Sequence, residues 1–336
     1  MLTIRYEIPN GLLDLEAHEL YKMLDGPTLF HLQGHRTPPL FISVLLHGNE
    51  PVGWNAVRNL LHQHQHQVLP RALSLFIGNI SAARHRMRHL DNQPDYNRIW
   101  NPGNTSEHAM AKQVFDEISK NGLFASIDIH NNSGLNPHYA CVNKLQPSFL
   151  HLATLFDRTV IYFRRPQGVQ SLAFAELGPA VTLECGKPDN PQGIAHATEY
   201  LTACMHLADI PSRPIAKHDI ELFHTVAVVR LAPDVQVGFH ENGLDLRLVE
   251  DIDHMNFREL PINTLLGWQQ SDSDISLRIS DEQDREVAAQ YFYLDGNALR
   301  IRQPVMPSML TRDTQIIRQD CLCYLMERMT LPKHIT

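Results

Sequence analysis

Leu40-Phe41-Ile42-Ser43-Val44-Leu45-Leu46 leads straight into His47-Gly48-Asn49-Glu50. The first stretch is a nearly unbroken apolar run, the pattern of a strand buried on both faces. Pro51 follows, and proline suits the first turn of a helix, where a missing N–H costs nothing. His47 and Glu50 therefore sit at the carboxyl end of a buried strand. Open α/β sheets place their active sites at that end. Imidazole nitrogen and carboxylate oxygen are both zinc ligands. His-x-x-Glu alone is weak evidence, because about one chance match is expected in a chain with 20 histidines. Its position, and the residues downstream, give it weight.

Outward from this stretch, apolar strands alternate with helical patterns. Strands are expected at 28–32, 40–46, 72–77, 125–129, 159–163 and 180–184, and helices at 51–64, 106–121, 147–156 and 195–208. Residues 13–24 read as an N-terminal helix. The alternation implies an α/β fold, a mixed, mostly parallel sheet with helices on both faces. Ile210-Pro211-Ser212-Arg213-Pro214 reads as a linker. Beyond it come short strands at 225–231, 235–239, 245–249, 274–279, 291–294 and 298–302, then a helix over 313–329. The expected division is a catalytic domain over 1–210 and a small C-terminal β-rich domain over 215–336.

Composition narrows the class. The chain has 336 residues, 43% hydrophobic and 20% charged, as a soluble globular protein should. A net charge of -8 with no basic stripe argues against nucleic acid as the main partner. No run of apolar residues is long enough for a membrane span, and the N-terminus lacks a signal-type apolar core. Five scattered cysteines form no disulfide framework. Reduced thiols in a cytoplasm are the expectation. The run His62-Gln63-His64-Gln65-His66-Gln67 reads as a solvated helix end. The sequence leaves homo-oligomerisation open.

Three further stretches carry chemistry. In Ala125-Ser126-Ile127-Asp128-Ile129-His130 a second strand ends at a histidine. His130 would complete a set of two imidazoles and one carboxylate, which leaves a fourth position open as in catalytic zinc sites. Asp128 shares its strand face and could orient a ligand histidine. In Ala180-Val181-Thr182-Leu183-Glu184-Cys185-Gly186 a third strand ends in a carboxylate suited to general-base work. Between Gly78-Asn79 and Asp95-Tyr96-Asn97-Arg98 lie arginines able to fork onto a carboxylate. Arg84 and Arg86 read as an exposed helix face, Arg88 and Arg98 as site candidates.

The order His-Gly-Asn-Glu, Gly-Asn, Asp-x-Asn-Arg, Asp-x-His, Thr-x-Glu-x-Gly resembles the succinylglutamate desuccinylase/aspartoacylase family within the zinc carboxypeptidase superfamily. The resemblance covers residues 40–205. It implies one Zn2+ on His47, Glu50 and His130, with Glu184 as general base and Arg88 at the reacting centre. It implies that Asn97 and Arg98 hold a substrate carboxylate, and that a small β domain covers the cleft with a tyrosine, Tyr291 or Tyr293, toward substrate. The chain departs from the family at Ile80 and Ser81, where proline and, in aspartoacylases, arginine are usual. It also offers Gln170 or Ser171 where aspartoacylases carry an arginine before the glutamate.

The expected function is a zinc-dependent amidohydrolase that frees an N-acyl amino acid of its acyl group by attack of metal-activated water. A metallocarboxypeptidase for a small peptide or cell-wall fragment is the alternative. It shares the metal chemistry and differs on the acyl side. A non-catalytic relative would have lost a ligand or the base, and none is lost.

Overall fold

The structure is a computed structural model that describes residues 1–188, 190–232, 234–241, 243–270 and 276–331. It divides into two compact units. The first comprises Met1–Asn131 and His138–Leu222, with the chain end from Leu331; the second comprises Asn132–Pro137 and Phe223–Thr330.

The first unit is built on strands β1 (Thr3–Arg5), β2 (Thr28–Leu32), β3 (Leu40–Val44), β4 (Leu73–Ile77), β5 (Ala125–His130), β6 (Tyr139–Val142), β7 (Thr159–Tyr162) and β8 (Ala180–Glu184). Their order across the sheet is β1-β2-β4-β3-β5-β8-β6-β7. Only β2/β4 and β6/β8 pair antiparallel, so the sheet is mixed and mostly parallel. Helices α1 (Val52–Gln63), α2 (Ile80–His85), α3 (Ser106–Asn121), α4 (Pro147–Thr154), α5 (Gln170–Phe174) and α6 (Pro191–His206) connect the strands.

Helices lie on both faces, and the strand residues alternate accordingly. Ser126 and Thr182 bond Gln170 and Ser171 of α5, and Phe41 stacks on Phe174 at 4.5 Å. On the opposite face Gly53 of α1 lies against Val44 and Ile129, too close for a side chain, and α1 packs on α6. Every residue of β3, β5 and β8 is buried; β3 and β8 read as nearly continuous apolar runs, while β5 alternates Ser126, Asp128 and His130 with apolar residues.

Local expectations need correction in both units. The N-terminal helix over 13–24 is two 3-10 helices, Leu12–Asp14 and Ala17–Lys22, separated by extended Leu15. A capping box between Glu16 and Glu19 restarts the second one. The four-residue strand β6 was not expected at all; it pairs antiparallel to β8 beside the site.

In the second unit, strands β9 (Glu221–Leu231), β13 (Leu277–Asp281), β16 (Met306–Ser308) and β17 (Cys323–Arg328) form an antiparallel set ordered β13-β9-β17-β16. A second sheet runs β10 (Val237–Gly238), β11 (Leu246–Leu248), β12 (Leu265–Gln269), β15 (Ala298–Ile301) and β14 (Phe292–Asp295). Val229, Ile279, Leu299, Ile301 and Leu325 sit in its core. Strands β12 and β16 were not expected, and the helix expected over 313–329 is a further correction. It stops after α8 (Thr314–Gln319), with α7 (Ala288–Tyr291) the other helix here. Asp313 caps α8, but Cys323 and Leu325 pair with Val229 and Ala227 and are drawn into the core. A register shift between Leu325 and Met326 blurs the period of two that would have marked β17 as a strand. Of the strand expected over 274–279, residues 274 and 275 lie outside the described residues.

No helix among the described residues is long and apolar enough to cross a membrane. All five cysteines are buried, and none is in a disulfide. His62 and His64 reach backbone carbonyls of Leu13 and Leu60.

Candidate active site and metal centre

The carboxyl ends of β3 and β5, side by side in the sheet, bring His47, Glu50 and His130 together. All three are buried, and their ligand atoms lie within 4.8 Å of one another. Glu50 Oε1 stands 2.8 Å from His47 Nδ1 and Glu50 Oε2 stands 2.7 Å from His130 Nδ1. The two Nδ1 atoms face each other at 3.2 Å. A tetrahedral metal with ligand bonds of about 2.0–2.1 Å would hold neighbouring donors about 3.3 Å apart. The donor set and its spacing therefore fit one divalent metal.

The outer ring nitrogens are held by carboxylates. His130 Nε2 lies 2.7 Å from Asp128 Oδ2, and Asp128 Oδ1 accepts from the Ser43 hydroxyl at 2.6 Å. His47 Nε2 lies 3.1 Å from Asp95 Oδ1. Each carboxylate fixes its imidazole so that Nδ1 turns inward. Asn131 adds a backbone N–H to Glu50 Oε2 at 3.2 Å, while its side chain ties the start of α1 to Gly186.

The charge balance follows from this geometry. Burial works against a proton on His130, but the Asp128 and Glu50 carboxylates outweigh it and raise the His130 pKa well above its usual value. Burial likewise opposes ionisation of Glu50, and His47 and His130 overcome it, so Glu50 stays ionised. Without metal, protonated His130 stabilises the fold. That contribution is complete below the unfolded value of about 6.5 and is lost as pH rises through the raised folded value. A metal must displace that proton, so apparent metal affinity is expected to rise with pH. Calorimetry at pH 7 in buffers of different ionisation enthalpy should record about one proton or more released per metal. Release of none would contradict the geometry.

Gly48 lets the His47–Glu50 turn form. A Cβ there would lie 2.2 Å from Ala83 N and 2.3 Å from Ala82 C, both backbone atoms in the middle of α2. Gly48→Ala is expected to cost at least about 3 kcal/mol, the upper end of overpacking, because backbone cannot step aside. Thermal unfolding measures the loss. A midpoint near wild type would show that the turn is looser than this packing implies.

Glu184 ends β8, directly beside His130 in parallel register, and is buried. Neighbouring strands lie about 4.8 Å apart, so its carboxyl group belongs to the same end of the sheet as the metal ligands. Gly186 two residues later takes a left-handed turn, with φ +73°.

Arg88 is buried and forks onto one oxygen of Asp95, with Nε at 3.0 Å and Nη2 at 2.9 Å. Asp95 thus bridges Arg88 and His47, a role the sequence reading did not assign. Burial opposes its charge, yet Arg88 and His47 hold its pKa well below the ordinary range. Asn97 is buried; its amide nitrogen stands 3.3 Å from His130 Nε2 and its oxygen accepts from Gln170 N at 2.9 Å. Its side chain is therefore committed within the protein at both ends. Arg98 Nη1 donates to Asn97 O at 2.9 Å. Gln170, where aspartoacylases carry arginine, is wholly buried and donates to Ser126 Oγ. Arg84 and Arg86 are exposed on α2 and its C-cap, directed to Tyr21 and His18. In the second unit, Tyr291 is packed into the core and the Tyr293 hydroxyl donates to Asn263 at 2.6 Å.

The model of the succinylglutamate desuccinylase/aspartoacylase catalytic domain matches residues 36–203, half of the chain. A search of curated proteins finds no match. Among solved structures, succinylglutamate desuccinylase from Vibrio cholerae matches with a TM-score of 0.60 at 12% identity, over 93% of this chain and 94% of that one. Succinylglutamate desuccinylase from Chromobacterium violaceum matches at 0.55 and 17% identity, over 88% and 86%. Murine aminoacylase 3 matches at 0.51 and 14% identity, over 88% and 98%. At these identities the structural likeness shows a shared fold.

Proposed function

Since this chain belongs to the succinylglutamate desuccinylase/aspartoacylase family, we propose that it is a zinc-dependent amidohydrolase that removes the acyl group from an N-acyl amino acid. The observation that carries this reading is the inward Nδ1, Nδ1 and Oε set of His47, His130 and Glu50 with Glu184 on the next strand. When bound there, zinc supplies Lewis-acid polarisation of an acyl carbonyl and makes water acidic near neutral pH.

The chain's own residues do the rest. Glu184 takes the proton of the attacking water and returns it to the departing amine nitrogen, so the C–N bond breaks without expelling an amide anion. Arg88, fixed by Asp95, supplies positive charge for the oxyanion that develops on the acyl oxygen. Arg98 holds the α-carboxylate, and Asn97 sets the position of that loop against His130 and the start of α5. Gln170 supplies no charge where aspartoacylases have an arginine, which argues against acetylaspartate as the substrate.

Residues 132–137 and 223–330 form a separate β-rich unit, and we assign it the substrate-enclosing role that the family resemblance implies. A panel of N-acyl amino acids, run beside dipeptides, tests the function. Release of free amino acid from an N-acyl substrate, with dipeptides slower, supports the reading. Turnover of dipeptides alone would move the assignment to a carboxypeptidase.

A further inference from the structure

The strands that carry His47, His130 and Glu184 have an opposite pole. Pro38, Phe124 and Pro179 stand just before β3, β5 and β8 and line a cavity of about 400 Å³ there. Strands of five or six residues put roughly 15–20 Å between this cavity and the metal centre. Arg71, Ser148 and Asp209 also line it.

Arg71 is only 2% exposed. Its guanidinium lies 3.5 Å from the centre of the Phe124 ring, and it donates to the carbonyls of Pro38, Leu207 and Ala208. Exposed Arg36 donates to His206 O and Leu207 O. Two cations thus converge where α6 ends. A helix C-terminus presents about half a negative charge and Asp209 a full one, so about half a positive charge is left over. Among the described residues neither arginine has a carboxylate within ion-pair distance. Asp209, exposed at the rim, uses its carboxylate on the N–H of Ile210. Arg71 Nε is buried without any partner. A buried charge of this kind is costly unless an anion neutralises it.

A second set of donors faces the same space. Pro147 opens α4, and its N-cap residue Gln146 makes no side-chain cap bond, so the N–H of Ser148 is left over beside its hydroxyl. Guanidinium, hydroxyl and a helix N-terminus are the donors that oxyanions accept from.

We propose that this cavity is a binding site for a small oxyanion, a phosphate or a carboxylate, remote from the catalytic centre. The test uses the whole chain and two probes, inorganic phosphate and acetate, each against chloride at equal ionic strength. At ten times its Kd the bound anion should raise the unfolding midpoint by about 2–4 °C, and the probe with the larger effect gives the anion class. Ser148→Glu, which places a carboxylate in the cavity, should abolish the response while keeping the fold. Arg71→Gln should abolish it too. His47→Ala, altered only at the metal centre, should keep it. No response to either probe in wild type would overturn the proposal. So would a response that survives Ser148→Glu or disappears in His47→Ala.

Discussion

Glu184→Gln is expected to bind metal as wild type does and to lose turnover by about 10²–10⁴-fold, the range that positioned general acid–base groups contribute. Glutamine fills the same volume at the end of β8 and can still hydrogen-bond, but it cannot take a proton from water. The variant should therefore fold normally, with KM nearly unchanged and the loss in kcat. Metal analysis and steady-state kinetics on one preparation decide it. Retained activity would remove Glu184 from the mechanism. Loss of metal along with activity would make it a ligand instead.

Arg88→Met is expected to lower kcat/KM by about 10²–10³-fold, the effect of removing one preorganised oxyanion partner. The change acts twice. It deletes the positive charge, and it leaves the buried Asp95 carboxylate to His47, the Asn97 N–H and the more distant Arg98 charge. Asp95 then binds His47 more strongly as a charge, so metal affinity should shift as well as turnover. Arg88→Lys keeps the charge but loses the fork that reaches Asp95 through Nε and Nη2 together, and should recover only part of the rate. Equal rates in wild type and Arg88→Met would place the arginine in a purely structural role.

The strand ends were the legible part of the molecule. β3, β5 and β8 are buried on both faces and carry enough apolar residues to be read as strands, and each has a site residue at its carboxyl end. His47, Glu50 and His130 could be picked out on that signal and do converge. Asp128 could be placed because strand alternation puts it on the face of His130. Asp95 could not. It lies in a loop 48 residues from His47, and no periodicity reports a contact made by tertiary folding. Its only trace was its place in Asp-x-Asn-Arg. The double commitment of Asn97 was hidden for the same reason, since its partner Gln170 is distant in sequence. β17 was missed because a register shift broke its alternation.

Bound metal per chain, measured by elemental analysis on wild type and His47→Ala after growth with added zinc, tests the central claim most directly. About one zinc in wild type and almost none in the variant is the expected result. No metal in either protein, or equal metal in both, would contradict a centre built on His47, Glu50 and His130.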